Sequence, residues 1–130
     1  MTEKPLPHPT PLSTPYWDGA AEGQLRLQRC TNCGKIRHYP QLLCSSCYSE
    51  AVEWIVASGR GTVHSWTVAH HAFHPAFKGD LPYTLVVVDL PEGPRALGRL
   101  EGEPRIGLPV RVTFPKTAQG VALPVFVPAP

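Results

Sequence analysis

Two Cys-x-x-Cys pairs hold every cysteine of this 130-residue chain: Cys30 with Cys33, and Cys44 with Cys47. Each pair presents two sulfur atoms on the same side of a short turn. Four thiolates close a tetrahedron around Zn²⁺ and leave no open position for a substrate. Gly34, directly after Cys33, suits the left-handed backbone position that such a turn commonly needs. The pattern therefore predicts one structural zinc ion held by all four sulfurs, and no catalytic role for it.

Two disulfides would be the alternative use of four cysteines, and that pattern is typical of small secreted domains. Residues 1–10 contain no apolar segment of the kind found in signal peptides. The longest aliphatic run, Leu85–Val88, is far too short to span a bilayer. We therefore predict a cytoplasmic protein without membrane contact, whose thiols stay reduced.

The net charge gives little support to a nucleic-acid partner. The formal charge is +2 with neutral cysteines, whereas a zinc ion held by four thiolates carries about −2. The metallated protein is then close to neutral, which removes most of the attraction for a phosphate backbone. Nucleic-acid binding would also require exposed stacking aromatics among basic residues, and Trp54, Trp66 and Tyr83 lie in apolar segments. We keep it as an alternative.

The N-terminal part predicts an arm followed by a short helix. Residues 1–13 are rich in proline, which predicts an extended arm, disordered alone or laid along a partner. Residues 14–23 predict a helix in which Thr14 caps the first amides, Pro15 occupies the first turn and Gly23 ends it.

Two aromatic side chains of this helix, Tyr16 and Trp17, are large and apolar for a surface helix. They either pack on the protein's own core or dock on another subunit. The sequence leaves both alternatives open.

The cysteine pairs lie between short strand-like segments. Gln24–Arg29 alternates polar and apolar residues, as a strand does when it buries one face. Lys35–Tyr39 leaves the first pair as the return strand. The region therefore predicts a zinc ribbon, in which Arg29, Lys35 and Arg37 offset the charge of the metal site.

From residue 51 onward, short β-prone segments alternate with glycine and proline bends, which favours a small closed barrel, of the OB type, over a sandwich. We thus expect a mainly β protein with an arm at 1–13, a helix plus zinc ribbon at 14–50, and an OB barrel at 51–130. The predicted strands are Val52–Ala57, Thr62–Phe73, Pro82–Leu90, Arg95–Leu100, Val110–Phe114 and Val125–Val127.

Four histidines gather within eleven residues between His64 and His74. His70 and His71 would point to opposite faces of a strand, which disfavours a second metal site. General acid–base work by one histidine is an alternative. We favour a histidine- and aromatic-rich loop that packs against a ligand or another subunit. Its candidate residues are His70, His71, Phe73, Phe77 and Tyr83. The sequence predicts no catalytic residue: it has no Gly-x-Ser-x-Gly motif and no cysteine outside the two pairs.

Several motifs resemble a known family when taken in order. They are Tyr16–Gly19, the two cysteine pairs, Ser58–Val63, Pro82–Tyr83 and Gly107–Val110. Over about residues 13–127, the chain resembles the zinc-ribbon OB-fold acyl-CoA-associated proteins, also called domain of unknown function 35. The resemblance implies a rubredoxin-like ribbon with an N-terminal helix, followed by an OB barrel.

The segment Thr67–Phe77 is similar to the subgroup that pairs with lipid-transfer-type thiolases, some of which are retro-aldolases acting on steroid side chains. The resemblance implies a non-catalytic accessory subunit that stabilises a thiolase-like enzyme and helps to form its acyl-CoA pocket. An accessory subunit of an acyl-CoA hydratase is an alternative within the family. A free-standing enzyme that uses His70 or His71 is the remaining alternative.

Overall fold

The computed structural model describes residues 4–129, which contain one short helix and eight strands. None of the helices in this range is long and apolar enough to cross a membrane. The elements, in chain order, are α1 Thr14–Ala21, β1 Arg26–Cys30, β2 Ile36–Arg37, β3 Val52–Val56, β4 Arg60–Ala69, β5 Tyr83–Asp89, β6 Arg95–Leu100, β7 Pro109–Thr113 and β8 Val125–Pro128; a 3-10 helix, Pro75–Asp80, connects β4 and β5.

The helix α1 was predicted correctly in position, but its cap differs from the prediction. Ser13, not Thr14, is the residue before the first helical turn, and its side chain caps no amide. The Thr14 hydroxyl instead donates to the carbonyl of Thr10 at 2.7 Å, because residues 10–13 already form a turn. Gly23 follows the helix with φ at 76°, as the predicted stop requires.

A three-stranded sheet in the order β2–β1–β3 forms the ribbon. Both neighbours of β1 run antiparallel to it, and Gln28 of β1 lies between Arg37 of β2 and Trp54 of β3. The strand β3 follows the predicted boundary at residue 50, yet it pairs with β1 and not with a barrel strand. Strand pairing therefore joins residues up to Val56 to the ribbon.

A closed five-stranded barrel follows, in the order β4–β5–β6–β8–β7, and β7 closes it onto β4. The pair β6–β8 is parallel and the other pairs are antiparallel. The barrel interior holds Val63, Val86, Val88, Val110 and Phe126, each at most 2% exposed. The predicted OB barrel is confirmed.

The ribbon and the barrel share a hydrophobic cluster. Tyr16, Leu25 and Leu27 belong to the same cluster of buried side chains as the barrel interior. Tyr39 adds a polar contact between the two parts, since its hydroxyl donates to the carbonyl of Leu97 at 3.3 Å and accepts from the Leu97 amide at 2.8 Å. Burial and hydrogen bonds therefore hold the ribbon against β6.

The long strand predicted over Thr62–Phe73 ends early, at Ala69. Its pairing with β5 stops where Ala69 meets Tyr83. Beyond it, the His74 imidazole accepts a hydrogen bond from the Ala76 amide at 3.1 Å, which begins the 3-10 helix. His70 and His71 consequently lie after the strand, so the expected placement on its two faces was wrong.

Candidate metal centre and partner surface

Each of the two cysteine pairs lies in its own turn, and the two turns have the same backbone geometry. The carbonyl of Cys30 accepts a hydrogen bond from the amide of Gly34 at 2.8 Å, and the carbonyl of Cys44 accepts one from Tyr48 at 2.9 Å. Gly34 and Tyr48 have φ angles of 81° and 61°. Each turn therefore reverses the chain directly after its second cysteine and turns both sulfurs of its pair to one side.

The four sulfur atoms lie within 4.8 Å of one another. The Sγ atoms of Cys30 and Cys47 are 3.5 Å apart, and those of Cys33 and Cys44 are 3.6 Å apart. A tetrahedral zinc site with Zn–S bonds of about 2.3 Å separates its sulfurs by about 3.8 Å. All four cysteines are free, so the donor set and its spacing fit one tetrahedral, thiolate-bound ion.

Backbone amides donate hydrogen bonds to sulfur atoms of the cluster and favour the thiolate form of those cysteines. The amide of Cys33 donates to Cys30 Sγ at 3.5 Å and lowers the pKa of the Cys30 thiol. The amide of Ser46 donates to Cys44 Sγ at 3.4 Å and is the main reason why the pKa of Cys44 falls to about 6. The amide of Lys35 acts on Cys33 in the same direction, but the neighbouring thiols, Cys44 first, raise the pKa of Cys33 to about 11. A metal cation between the sulfurs would favour the thiolate form of all four cysteines, because each thiolate then binds the cation and no longer shares a proton with a neighbouring thiol.

The four cysteines form the one group of three or more His, Cys, Asp or Glu side chains that is placed to hold a metal ion within residues 4–129. The histidines of the cluster have separate contacts. His64 lies 3.2 Å from the carboxylate of Asp89, and His74 caps the 3-10 helix. His70 and His71 are exposed.

Helix α1 places its two aromatic side chains against the ribbon. Tyr16 is 5% exposed and belongs to the core, where burial raises the pKa of its hydroxyl. It meets Trp17 edge-on at 4.9 Å between ring centroids and lies 5.4 Å from the ring of His38. Trp17 is half-buried against the same core. Tyr16 thus packs within the protein, and docking of this pair on another subunit stays a prediction.

The loop after β4 carries the most exposed aromatic side chain among those described. Phe73 is 95% exposed, and the His71 ring meets it edge-on at 4.6 Å. The ring of Phe73 is thus almost wholly available for contact with another molecule. The predicted partner role of this loop stays a prediction, and the exposure of Phe73 agrees with it.

The other two predicted residues of the loop, Phe77 and Tyr83, are half-buried beneath cations. The Lys4 ammonium lies 5.6 Å from the Phe77 ring, and the Arg99 guanidinium lies 4.3 Å from the Tyr83 ring. Asp80 joins the two cations, at 2.6 Å from Lys4 and 3.2 Å from Arg99, and Lys4 is the main cause of its lowered pKa. Sequence reasoning missed this contact between the arm and the loop, because no local pattern connects residues so distant along the chain.

Fold and cysteine cluster together define a zinc-ribbon OB-fold protein. Family models agree with this class: residues 17–53 match the rubredoxin-like zinc ribbon domain of ChsH2, and residues 54–115 match the C-terminal OB-fold domain of ChsH2. A solved chain of the Ltp2-ChsH2(DUF35) aldolase superposes on this chain with a TM-score of 0.85 at 35% sequence identity, covering 96% of this chain and 100% of that chain. The chain therefore belongs to the ChsH2-type, DUF35 family of zinc-ribbon OB-fold proteins.

Two similar proteins are named as hydratase subunits. The probable enoyl-CoA hydratase alpha subunit of Thermomonospora curvata is 37% identical over 118 residues, which are 88% of this chain and 36% of that protein. The 3-oxo-4,17-pregnadiene-20-carboxyl-CoA hydratase alpha subunit of Mycobacterium tuberculosis is 41% identical over 104 residues, 76% of this chain and 32% of that protein. The chain thus spans about a third of the length of these relatives.

A third relative is named as a thiolase subunit. The benzoylsuccinyl-CoA thiolase subunit BbsA of Geobacter metallireducens is 35% identical over 100 residues, covering 74% of this chain and 62% of that protein. These three relatives are named as subunits of acyl-CoA enzymes, and the solved chain is named as part of an aldolase.

Proposed function

We propose that this chain is a non-catalytic accessory subunit of a thiolase-like acyl-CoA enzyme, of the retro-aldolase type that shortens lipid or steroid side chains, and that it helps to form the acyl-CoA pocket. The observation that carries the proposal is the match to the Ltp2-ChsH2(DUF35) aldolase chain, which extends over nearly the whole of this chain. The thiolase subunit BbsA supports the same class of partner.

The chemistry of the described residues supports an accessory role. All four thiols lie together in the metal centre, so they serve as ligands and not as nucleophiles. A four-sulfur site leaves no open position at which an ion could activate water or a carbonyl group. The reaction is therefore assigned to the partner.

The exposed loop between β4 and β5 supplies the proposed contact with that partner. Phe73 is 95% exposed, and aromatic side chains that enter a pocket of the partner commonly carry much of the binding energy of an interface. His70 and His71 precede it in the chain, and the Phe77 ring lies 6.1 Å from the His74 ring and 6.4 Å from the Tyr83 ring. Trp17, which is half-buried beside Tyr16, is the second proposed contact.

We further propose that the metal is zinc and that its role is structural. The four sulfurs have the number, type and spacing that zinc prefers, and a zinc ribbon domain is the family model that matches residues 17–53. Thiolates persist as ligands in a reducing compartment, so the cytoplasm is the proposed location.

Removal of the exposed ring tests the proposed contact. We expect the Phe73→Ser variant to keep its fold and zinc content but to lose most binding to the thiolase-like partner in co-purification. Ile106→Ser is the matched control, since Ile106 is also exposed, at 64%, and lies outside the loop. Equal partner binding by Phe73→Ser and the wild-type chain would contradict the assignment of this loop.

An accessory role towards an acyl-CoA hydratase is the second candidate. The two hydratase alpha subunits favour it, because this chain matches a segment of each at 37% and 41% identity. Co-expression separately with a thiolase-like chain and with a hydratase-like chain distinguishes the candidates by the partner that is retained.

A further inference from the structure

Strand β3 lies at the edge of the ribbon sheet. It pairs with β1 on one side, and no strand pairs with its other side among residues 4–129. Val52 and Val56, at the two ends of β3, are 37% and 58% exposed. Proteins commonly protect an exposed edge strand with lysine, proline or a β-bulge. The strand β3 contains neither of these residues and pairs with β1 without a bulge, so its outer edge is open to a further strand.

The hydrogen bonds at the two ends of the β1–β3 pair show which backbone groups of β3 face outward. The Ala57 amide donates to the Leu25 carbonyl at 2.8 Å. The Thr31 amide donates to the Ala51 carbonyl at 3.2 Å. Because bonded and non-bonded residue pairs alternate along antiparallel strands, the odd-numbered residues of β3 are the ones that bond to β1. The outward-facing amides and carbonyls therefore belong to the even-numbered residues, Val52, Trp54 and Val56.

These outward-facing groups have no hydrogen-bond partner among the described residues. Their side chains are apolar, and Trp54 packs partly against the hydrophobic core. The one charged residue of β3 is Glu53, whose carboxylate lies 3.6 Å from Arg29 of β1. The edge thus combines unpaired backbone groups with apolar side chains, which is the combination that binds an added strand.

We propose that the β3 strands of two copies of this chain pair antiparallel about a two-fold axis at Trp54, which joins the two ribbon sheets into one continuous sheet. This register places Val52 of each copy opposite Val56 of the other, and Trp54 opposite Trp54. Only outward-facing residues meet in these pairs, so each pair exchanges both of its backbone hydrogen bonds. An axis at Glu53 or Ile55 would pair residues whose backbone groups already bond to β1.

The side chains of β3 suit a second copy. Every pair that carries the new hydrogen bonds is apolar, and such cross-strand pairs stabilise a sheet. Glu53 lies opposite Ile55 of the other copy, so no two like charges face each other directly. The contact uses the same patch on both copies and therefore closes at two chains. This self-complementarity favours a second copy over a strand of another protein.

Sedimentation and amide hydrogen exchange of the full-length, zinc-loaded chain test the proposal. Both are measured without a partner enzyme, so the result is independent of the proposed accessory role. We expect the mass to rise from one chain to two with protein concentration, and the protection of the Val52, Trp54 and Val56 amides to rise with it. The amides of Glu53 and Ile55, which bond to β1, should be protected at every concentration. A mass of one chain up to about 1 mM, the Kd of a very weak complex, would overturn the proposal.

Variants of Val56 assign the dimer to this edge. Val56→Pro removes an outward-facing amide without breaking a bond to β1. Symmetry doubles the loss to two hydrogen bonds, so the dimer should weaken by about thirtyfold. Val56→Lys places a charge on the edge, which should also weaken the dimer and keeps the test valid if Val56→Pro does not fold.

Val68→Lys is the matched control, because Val68 of the barrel strand β4 is 39% exposed. It should leave the dimer unchanged. A dimer that neither Val56 variant weakens, or one that Val68→Lys weakens equally, would contradict the proposed edge. Protection of the outward-facing amides only in the presence of a thiolase-like protein would also contradict it and would assign the edge to that partner.

Discussion

Gly34 and Tyr48 occupy the same backbone position in the two turns of the metal centre. Each follows the second cysteine of its pair, each donates its amide to the carbonyl of the first cysteine, and their φ angles are 81° and 61°. Glycine adopts this left-handed region freely, whereas an L-residue there loses about 1–2 kcal/mol. The second turn therefore carries a strain that the first turn avoids.

The strain at Tyr48 predicts a stabilising substitution. Tyr48 is 76% exposed, so Tyr48→Gly removes little packing. Relief of about 1–2 kcal/mol, less the added entropy of glycine in the unfolded chain, raises the free energy of unfolding by about 0.5 kcal/mol. Denaturant unfolding of zinc-loaded protein measures it. Gly34→Ala is the counterpart: nothing lies within 4 Å of its added Cβ, so it costs about 1 kcal/mol through the backbone alone. Destabilisation by Tyr48→Gly would refute the strain.

The ribbon is predicted to depend on its metal. Strand β2 has only two residues, so little strand pairing holds the chain between β1 and β3 in place. The two cysteine turns must hold most of this segment, and the free energy of metal binding therefore contributes to its folding. We expect a chelator, or Cys33→Ser, to remove the hydrogen-exchange protection of residues 24–50. Asn32→Ser, which changes an exposed residue between two ligands, serves as the control and keeps that protection. Full protection in metal-free protein would contradict a structural metal.

Gly98 is predicted to be required by the packing of the barrel. A Cβ at Gly98 would lie 2.9 Å from ring carbons of Phe126 and 3.3 Å from the carbonyl of Pro124. Phe126 is 1% exposed and cannot move aside freely. Gly98→Ala should therefore lower the free energy of unfolding by about 1–3 kcal/mol. Gly79→Ala, where nothing lies within 4 Å, should change it little, and equal effects of the two variants would disprove the close contact.

His38 predicts a loss of stability in mild acid. Burial lowers the pKa of this imidazole from 6.5 to about 4, so the unfolded chain takes up a proton at a higher pH than the folded chain does. The contribution of His38 to the free energy of unfolding is complete above about pH 6.5 and declines as the pH falls towards 4. The loss is about 1 kcal/mol at about pH 5.5. His38→Phe should remove this part of the pH dependence, whereas His71→Phe, at an exposed position, should retain it. Thermal unfolding at about pH 6.5 and about pH 5.5 measures how much stability each protein loses between the two conditions. An equal loss in His38→Phe and in the wild-type chain would exclude the effect.

Local signals accounted for much of the fold. The cysteine spacing predicted the metal centre, and alternating apolar residues such as Val110 and Val112 predicted barrel strands, because both signals lie within a few residues of each other. Gly23 likewise marked the end of α1 correctly. The end of β4 was missed, because a β-prone run cannot show that its pairing partner begins only at Tyr83.

Contacts between distant segments were the harder part. Lys4 and Asp80 are far apart along the chain but 2.6 Å apart in space. Arg37 is buried and donates to Gln28 because β1 and β2 pair at this position, a contact that the sequence did not predict; its expected role of offsetting the charge of the metal site stays a prediction. Strand register and tertiary packing determine such contacts, and no local pattern in a single sequence reveals either of them.

Co-purification with a thiolase-like protein encoded near this gene tests the central claim most directly, with the mass of the complex and its bound zinc read together. An accessory subunit predicts a stable hetero-oligomer that contains one zinc ion per copy of this chain. A zinc-loaded monomer that does not bind the thiolase-like protein would contradict the claim.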